Sequence, residues 1–180
     1  MSNLYIKEIW YNIGMEKSAL KELMSEYKQE ALENDREIIN EFRPIYDRNW
    51  EETCNLASGE ISLYFCESQA DKRKWRAMTQ LTSSSPFRGS VGRQVKLFIM
   101  CGDYILGMVH LTSPLAQLRV RDQFIDFKDK WQELKGIYNI ETCVSTRKYA
   151  SMLTGKLLIY CIFANQVSQY MQQKYGDKVM

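Results

Sequence analysis

Seven basic side chains, Lys72, Arg73, Lys74, Arg76, Arg88, Arg93 and Lys96, fall within 31 residues that hold no acid. Wherever such a run meets solvent it makes a positive surface. Lys and Arg on that surface gain free energy by releasing the counterions condensed on phosphates, so nucleic acid is its expected partner. Trp75 and Phe87 lie in the same run and offer rings on which unpaired bases can stack. The charges also have an internal alternative. Residues 1 to 71 carry 15 acidic side chains against 7 basic ones, and the run can pair with them.

Within the run, Ser83-Ser-Ser-Pro-Phe-Arg-Gly-Ser-Val-Gly-Arg93 combines small residues, hydroxyls and two Arg. Backbone amides in such loops can cradle phosphate, and Arg binds it bidentately. The segment lacks the Lys and following hydroxyl of a Walker loop, and a plain hairpin-entry loop is the other reading. Arg121 and Asp122 are adjacent, which on a helix sets them about 100° apart and on a strand points them oppositely. They are therefore not expected to pair with each other. Asp122 is the first candidate for a general base if the chain performs chemistry. Ser85, Arg121, Asn139, Gly155 and Lys156 are the candidate pocket residues. Gly155 lies inside an expected helix, where it costs about 1 kcal/mol relative to Ala. Close packing against a strand or approach of a ligand would offset that cost.

Other chemistry is excluded or disfavoured. His110 is the single His, so a multi-His metal site is ruled out, and its apolar neighbours Val109 and Leu111 suit a core position. The five Cys, at 54, 66, 101, 143 and 161, form no C-x-x-C pair, so no metal is expected, and they read as buried free thiols. The turn before the last helix, Ser145-Thr-Arg-Lys-Tyr149, lacks the Gly-rich pattern that receives a cofactor pyrophosphate, so acyl-CoA is not supported and the cofactor is unknown. Met1 to Gly14 shows no signal-peptide pattern. The longest apolar run, Leu157 to Ala164, is far short of the roughly 20 residues of a membrane span, so a cytoplasmic protein with no membrane association is expected.

These residues need positioning elements. The 180 residues carry a net charge of only +2, which conceals −8 over residues 1 to 71, +7 over 72 to 102 and +3 over 103 to 180. Residues 15 to 32 repeat apolar positions at helical spacing, with Leu20, Leu23, Met24, Tyr27 and Ala31 on one side. A short helix over Arg36 to Phe42 is expected to stop before Pro44. Residues 44 to 60 read as irregular, with Trp50 as a docking residue. Ile61 to Cys66 is a strand. Ser68-Gln-Ala-Asp71 is a capping sequence for a helix that places Trp75, Met78 and Leu81 together. Val95 to Cys101 and Tyr104 to Leu111 are strands joined by Gly102-Asp103, a two-residue hairpin loop. Residues 112 to 136 are mixed, and Tyr138 to Val144 is a strand. A long helix over 149 to 175, apolar nearly all round at its centre, is expected to be deeply buried, with Gly176 as its C-cap. The fold class is thus α+β: a sheet led by the antiparallel hairpin 95–111 packed with that helix, plus an N-terminal helical region. Residues 1–60 form the acidic helical region and 61–180 the α+β domain. A buried last helix that returns to no strand suggests a sheet missing an edge.

From Leu81 onward the chain resembles the family of the A subunit of the Druantia anti-phage system, DruA, which has members in phages and mobile elements. The resemblance rests on Leu81-Thr-Ser-Ser-Ser-Pro-Phe87, Gly92-Arg93, Leu106-Gly-Met-Val-His-Leu-Thr-Ser-Pro114, Arg121-Asp122, Ile137-Tyr-Asn139 with Cys143-Val144, and Leu153-Thr-Gly-Lys-Leu-Leu158, in the family's order. Two departures stand out: Ile125-Asp126-Phe127 replaces Ile-Gly-Trp, and the Ser/Gly/Tyr-rich segment that follows Tyr175-Gly176 in relatives is absent. The layout is also similar to the DNA-modifying, acetyltransferase-like (GNAT-like) Mom protein of a transposing phage. These resemblances imply a nucleic-acid-associated protein of a phage, mobile element or anti-phage system. It would bind DNA or RNA through residues 72 to 96, with Arg121, Asp122 and Asn139 lining a shared pocket. The alternatives are a Mom-like transferase acting on a nucleobase and a non-enzymatic subunit that binds a protein partner through residues 1–71.

Overall fold

The computed structural model describes residues 17–51, 59–87 and 89–176. The elements are α1 (Lys17–Asn34), α2 (Arg36–Glu51), β1 (Ile61–Phe65), α3 (Gln69–Thr82), β2 (Gln94–Cys101), β3 (Tyr104–Thr112), α4 (Arg119–Phe124), α5 (Lys130–Glu133), a 3-10 turn (Leu134–Gly136), β4 (Asn139–Ser145), α6 (Arg147–Ile162) and α7 (Asn165–Tyr175). The four strands form one fully antiparallel sheet in the order β1-β2-β3-β4. The α+β class is as expected.

Local chemistry explains the firmest elements. Cys101 faces Tyr104 across the hairpin, and Gly102 has φ +56°, a conformation Gly adopts without steric cost. At the start of α3, the Ser68 hydroxyl accepts from the Asp71 amide at 3.0 Å while the Asp71 carboxylate accepts from the Ser68 amide at 3.2 Å. Each side chain satisfies an orphan donor of the first turn. Gly176, with φ +70°, ends α7 in the left-handed conformation.

Strand alternation divides the core in two. One face buries Val95, Leu97, Ile99, Leu106, Val109 and Leu111 against Tyr149, Leu158, Val167 and Met171 of α6 and α7. The other buries Phe98, Ile105 and Met108 against Trp75 and Met78 of α3, with Ile45 and Tyr46 of α2 packed alongside. The tightest point is Gly107 on β3, where a Cβ would stand 2.7 Å from Leu158 Cδ2 and 3.0 Å from the Val144 carbonyl oxygen. The α6 side chain rests directly on the strand backbone there.

Two helical expectations need correction. α2 does not stop before Pro44 but runs through it to Glu51. Ile39, buried at 4 % exposure, and Ile45 and Tyr46 hold its two halves on the core, so tertiary packing outweighs the hydrogen bond that Pro removes. The single helix over 149–175 is two helices. Ala164 takes an extended conformation, φ −63° and ψ 140°, as the N-cap of α7. That break lets Val167 and Met171 turn back onto the sheet. The apolar centre is also not buried all round: Leu158 is fully buried, but Tyr160 and Phe163 are 72 % and 75 % exposed. Hydrophobicity on every side cannot be satisfied by a sheet that covers one side. The side chain of Trp50, Cys54 and the N-terminal 16 residues lie outside what the structure describes. Cys66, Cys101, Cys143 and Cys161 are free thiols, the first two buried. Among the described residues no helix is long and apolar enough to cross a membrane.

Candidate nucleic-acid interface

α3 turns Trp75, Met78 and Thr79 inward, which at helical spacing leaves Lys72, Arg73, Lys74 and Arg76 toward solvent. Lys96, on the same face of the sheet as Phe98, rises beside them. Its ammonium stands 4.9 Å from the Phe87 ring centroid and 5.4 Å from that of Trp75. Burial pushes its pKa below the usual lysine range, and the positive charges of Lys72 and Arg76 push in the same direction. Cys66 lies against this group. Burial drives its thiol up to about 12, with Lys96, Lys74 and Lys72 opposing, so it is not a nucleophile at neutral pH. Lys72, Lys74, Arg76 and Lys96 thus converge at the junction of α3 with the sheet.

The acidic N-terminal third takes part of the charge. Arg73 meets Glu41 at 2.6 Å, with both side chains about half exposed, and Arg76 meets the buried Asp35 at 2.7 Å. Asp35 also accepts from Gln80 Nε2 at 3.0 Å. Lys28 donates to both the backbone and side-chain oxygens of Gln80, and burial lowers its pKa to about 8. Lys72 and Lys74 enter no ion pair among the described residues; Lys74 lies 5.5 Å from the Phe98 ring. Arg88 is outside the described residues.

The stacking role of the aromatics is corrected. Trp75 is 0 % exposed and its indole N–H donates to the Leu97 carbonyl at 3.3 Å. Phe87 packs edge-on against it at 5.1 Å and against His110 at 5.6 Å. Trp75 belongs to the core and presents no free platform, while the half-buried Phe87 packs against it beneath Lys96. His110 is a core residue, as expected, and neither ring nitrogen has a hydrogen-bond partner. Burial, with Lys96 adding, lowers its pKa to about 3, so the imidazole is neutral. Glu141 Oε2 stands 3.9 Å away, where the β3–β4 register shifts between His110 and Leu111. Ser90 donates its hydroxyl to that carboxylate.

Arg121 and Asp122 do pair, contrary to expectation. The flexible Arg side chain curls back so that Nε and Nη2 both reach Asp122 Oδ1, at 2.9 and 2.6 Å. Oδ2 accepts from Lys130 Nζ at 2.6 Å and from the Leu118 amide at 3.1 Å. Lys130, Arg121 and the Leu118 amide hold the carboxyl down to about 2. A carboxylate so saturated is a weak base at neutral pH. Its work is to tie α4 to the start of α5.

The candidate pocket residues are dispersed. Ser85 caps the loop after α3, donating its amide to Ser83 Oγ at 3.1 Å. Asn139 is exposed at the start of β4, and Gly155 and Lys156 are exposed on α6. A Cβ on Gly155 would meet nothing within 4 Å, so packing does not explain that glycine. The glycine that packing demands is Gly107, and a Gly inside an apolar strand was the signal for it.

A cleft of about 540 Å³ opens elsewhere, and of the five it contains none. Arg93, Ser113, Pro114, Trp131, Lys135 and Tyr175 are among the residues that line it, and it is open to solvent. Arg93 is held by the carbonyls of Leu134 and Lys135, at 3.1 and 2.7 Å, and lies 4.9 Å from the Tyr138 ring. The Tyr175 hydroxyl exchanges hydrogen bonds with the backbone of Gln94, accepting at 3.1 Å and donating at 2.8 Å. Trp131 and Lys135 were not singled out in the sequence, and Ser113 and Tyr175 entered only through the family resemblance. An aromatic beside basic residues in the mixed segment 112–136 was the available signal.

Neither the curated proteins nor the solved structures contain a match to the chain. The model of one protein family, described as Druantia protein DruA, matches residues 14–180, the N-terminal helices included. Arg93, Ser113-Pro114 and Tyr175-Gly176, which belong to stretches through which the chain resembles that family, come together in the cleft. The chain belongs to the DruA family, which implies a role in an anti-phage defence system.

Proposed function

We propose that this DruA-family chain serves anti-phage defence by binding nucleic acid through the surface of Lys72, Lys74, Arg76 and Lys96. The observation that carries the reading is the convergence of these four cations at one junction, where Lys72 and Arg76 work against the charge on Lys96. Like charges gathered on one surface repel, and a polyanion relieves that repulsion. Glu41 and Asp35 are taken by Arg73 and Arg76, and among the described residues Asp71 and Glu141 act on Lys74 and Lys96 without an ion pair to either, which leaves Lys72 and Lys74 for phosphate.

Salt-dependent binding of a labelled oligonucleotide tests the proposal. Affinity should fall steeply as salt rises, with log K changing by about 0.9 per phosphate contact for each decade of salt on duplex DNA. The pair Lys72→Glu and Lys74→Glu should weaken binding and flatten that slope by about two contacts. Binding that is absent, or indifferent to both salt and these substitutions, overturns the proposal and favours a subunit that acts through protein contacts.

A further inference from the structure

Trp131 is 62 % exposed on the rim of the cleft. An indole normally buries most of its area, so an exposed one beside a concave surface calls for a ligand face. The cleft lining is one-sided, although Asp129 and Glu133 flank Trp131 on its own short helix. Ten residues line the cleft; Arg93 and Lys135 are cationic and none is acidic. The cleft is open to solvent, about 540 Å³, and so suits part of a bound strand rather than an enclosed small molecule. Trp131 and Tyr175 supply flat apolar surface, and Ser113 and Gln132 supply polar groups.

The walls are also fixed in place. Arg93 is clamped to the carbonyls of the 3-10 turn, so the β2 entry and the Trp131 segment move as one piece. Gly92, at φ +98°, comes so close to Ser113 that a Cβ would stand 2.5 Å from its hydroxyl oxygen. The Ser113 amide in turn donates to the Arg93 carbonyl at 2.9 Å. Tyr175 pins the end of α7 to Gln94. Behind the rim, Asp122 with Arg121 and Lys130 anchors the segment that carries Trp131.

From this arrangement we infer that the cleft takes one unpaired nucleotide of a bound strand, its base stacked on Trp131 and its phosphate beside Lys135. A planar aromatic ring attached to an anion matches an exposed indole beside a cleft lined by cations and no carboxylate, with Lys130, 5.8 Å from the ring, holding Asp122 behind it. A paired base has no free face to give, so this site selects single strands where the α3 surface does not. The inference rests on the nucleic-acid reading above and adds strand selection to it.

The test measures fluorescence anisotropy of two labelled probes, a thymidine oligonucleotide and a hairpin duplex of equal charge, with the full chain. Trp131→Ala should weaken single-strand binding about tenfold or more, the usual effect of removing one stacking platform, and leave the duplex unaffected. Trp131→Phe should restore most of the single-strand affinity, because a phenyl ring still stacks. Since Trp131 is largely exposed, both variants should retain the wild-type thermal midpoint. If wild type holds both probes and Trp131→Ala holds them equally well, the cleft inference falls and the α3 surface stands. If wild type holds neither probe, the nucleic-acid reading falls and the cleft inference falls with it.

Discussion

Beneath α6 and α7 the sheet buries Val95, Leu97, Ile99, Leu106, Val109 and Leu111, all aliphatic. Beneath α3 it buries Phe98, Met108 and Trp75 together with a neutral His110, and Lys96 lies across two of the aromatic rings. The first face removes apolar area from water, worth roughly 25 cal/mol for each Å², and carries cations only at its rim, where Arg93 lies over Tyr138 and Lys174 over Tyr170 and Tyr175. The second also removes apolar area and holds a half-buried cation, Lys96, directly over its rings. Aromatic rings suit that task because their faces attract an ammonium that has lost part of its hydration. On the proposed reading, the aliphatic packing holds the fold and the aromatic packing also supports the binding surface. Truncations on the aliphatic face should cost stability alone, and truncations on the aromatic face should cost stability and ligand affinity together.

The largest expected effect breaks the aromatic face. Trp75→Ala should cost about 3 to 5 kcal/mol by the usual range for buried aromatics. Under conditions where the variant stays folded, its affinity for an oligonucleotide should drop because Lys96 loses its platform. Leu158→Ala, on the other face, should cost about 2 to 5 kcal/mol with affinity unchanged. Urea midpoints and anisotropy titrations on both variants read the comparison directly. An equal loss of affinity in the two would mean that the faces are not functionally distinct.

A smaller effect tests how tightly the aliphatic face is closed. Gly107→Ala inserts a methyl against Leu158 and the Val144 carbonyl, a backbone atom that cannot rotate away. Overpacking of this kind costs about 1 to 3 kcal/mol. Pairing the substitution with Leu158→Ala should recover part of the loss, because the two changes share one space. A simple sum of the two effects in urea unfolding would show that they do not meet.

Just below neutral pH the smallest effect concerns acid. His110 has an ordinary pKa of 6.5 when unfolded and about 3 when folded. Between those values the unfolded chain binds the extra proton, so stability is complete above about pH 6.5 and declines as pH falls toward 3. The loss is about 1.4 kcal/mol by one pH unit below the unfolded value. His110→Leu should flatten this limb of the urea-midpoint profile and cost little at pH 7, since it removes two unpartnered nitrogens. A limb of undiminished slope in that variant would assign the acid sensitivity to other groups.

Several of these features were legible in the chain. The Ser68–Asp71 cap and the Gly102–Asp103 turn are fixed by atoms three residues apart or fewer, so neighbours in sequence suffice to specify them. The class of the fold followed from strand and helix periodicities. The candidate site was legible in part. The charge run did place Lys72, Lys74, Arg76 and Lys96 together, because α3 and β2 pack side by side. It also suggested that the acidic third could answer those charges, and two of them are answered. Stacking on Trp75 failed because a Trp in a basic helix looks the same whether it points out or in. Arg121 and Asp122 pair because a long side chain can fold back over a short helix, which backbone angles alone do not express. The passage of α2 through Pro44 and the break at Ala164 depend on where the core lies.

What the order of residues settled was therefore short-range: caps, turns, strand alternation, a single isolated His and a block of positive charge with no acid within it. These follow from sterics and hydrogen bonding between near neighbours and from composition. The cleft was decided elsewhere. Arg93, Ser113, Trp131 and Tyr175 are separated by tens of residues. They meet only because the sheet aligns the start of β2 with the end of β3, and because α7 turns back at Ala164 to bring Tyr175 onto Gln94. Which faces are buried, and which cations keep their charge at the surface, depend on contacts made across that distance.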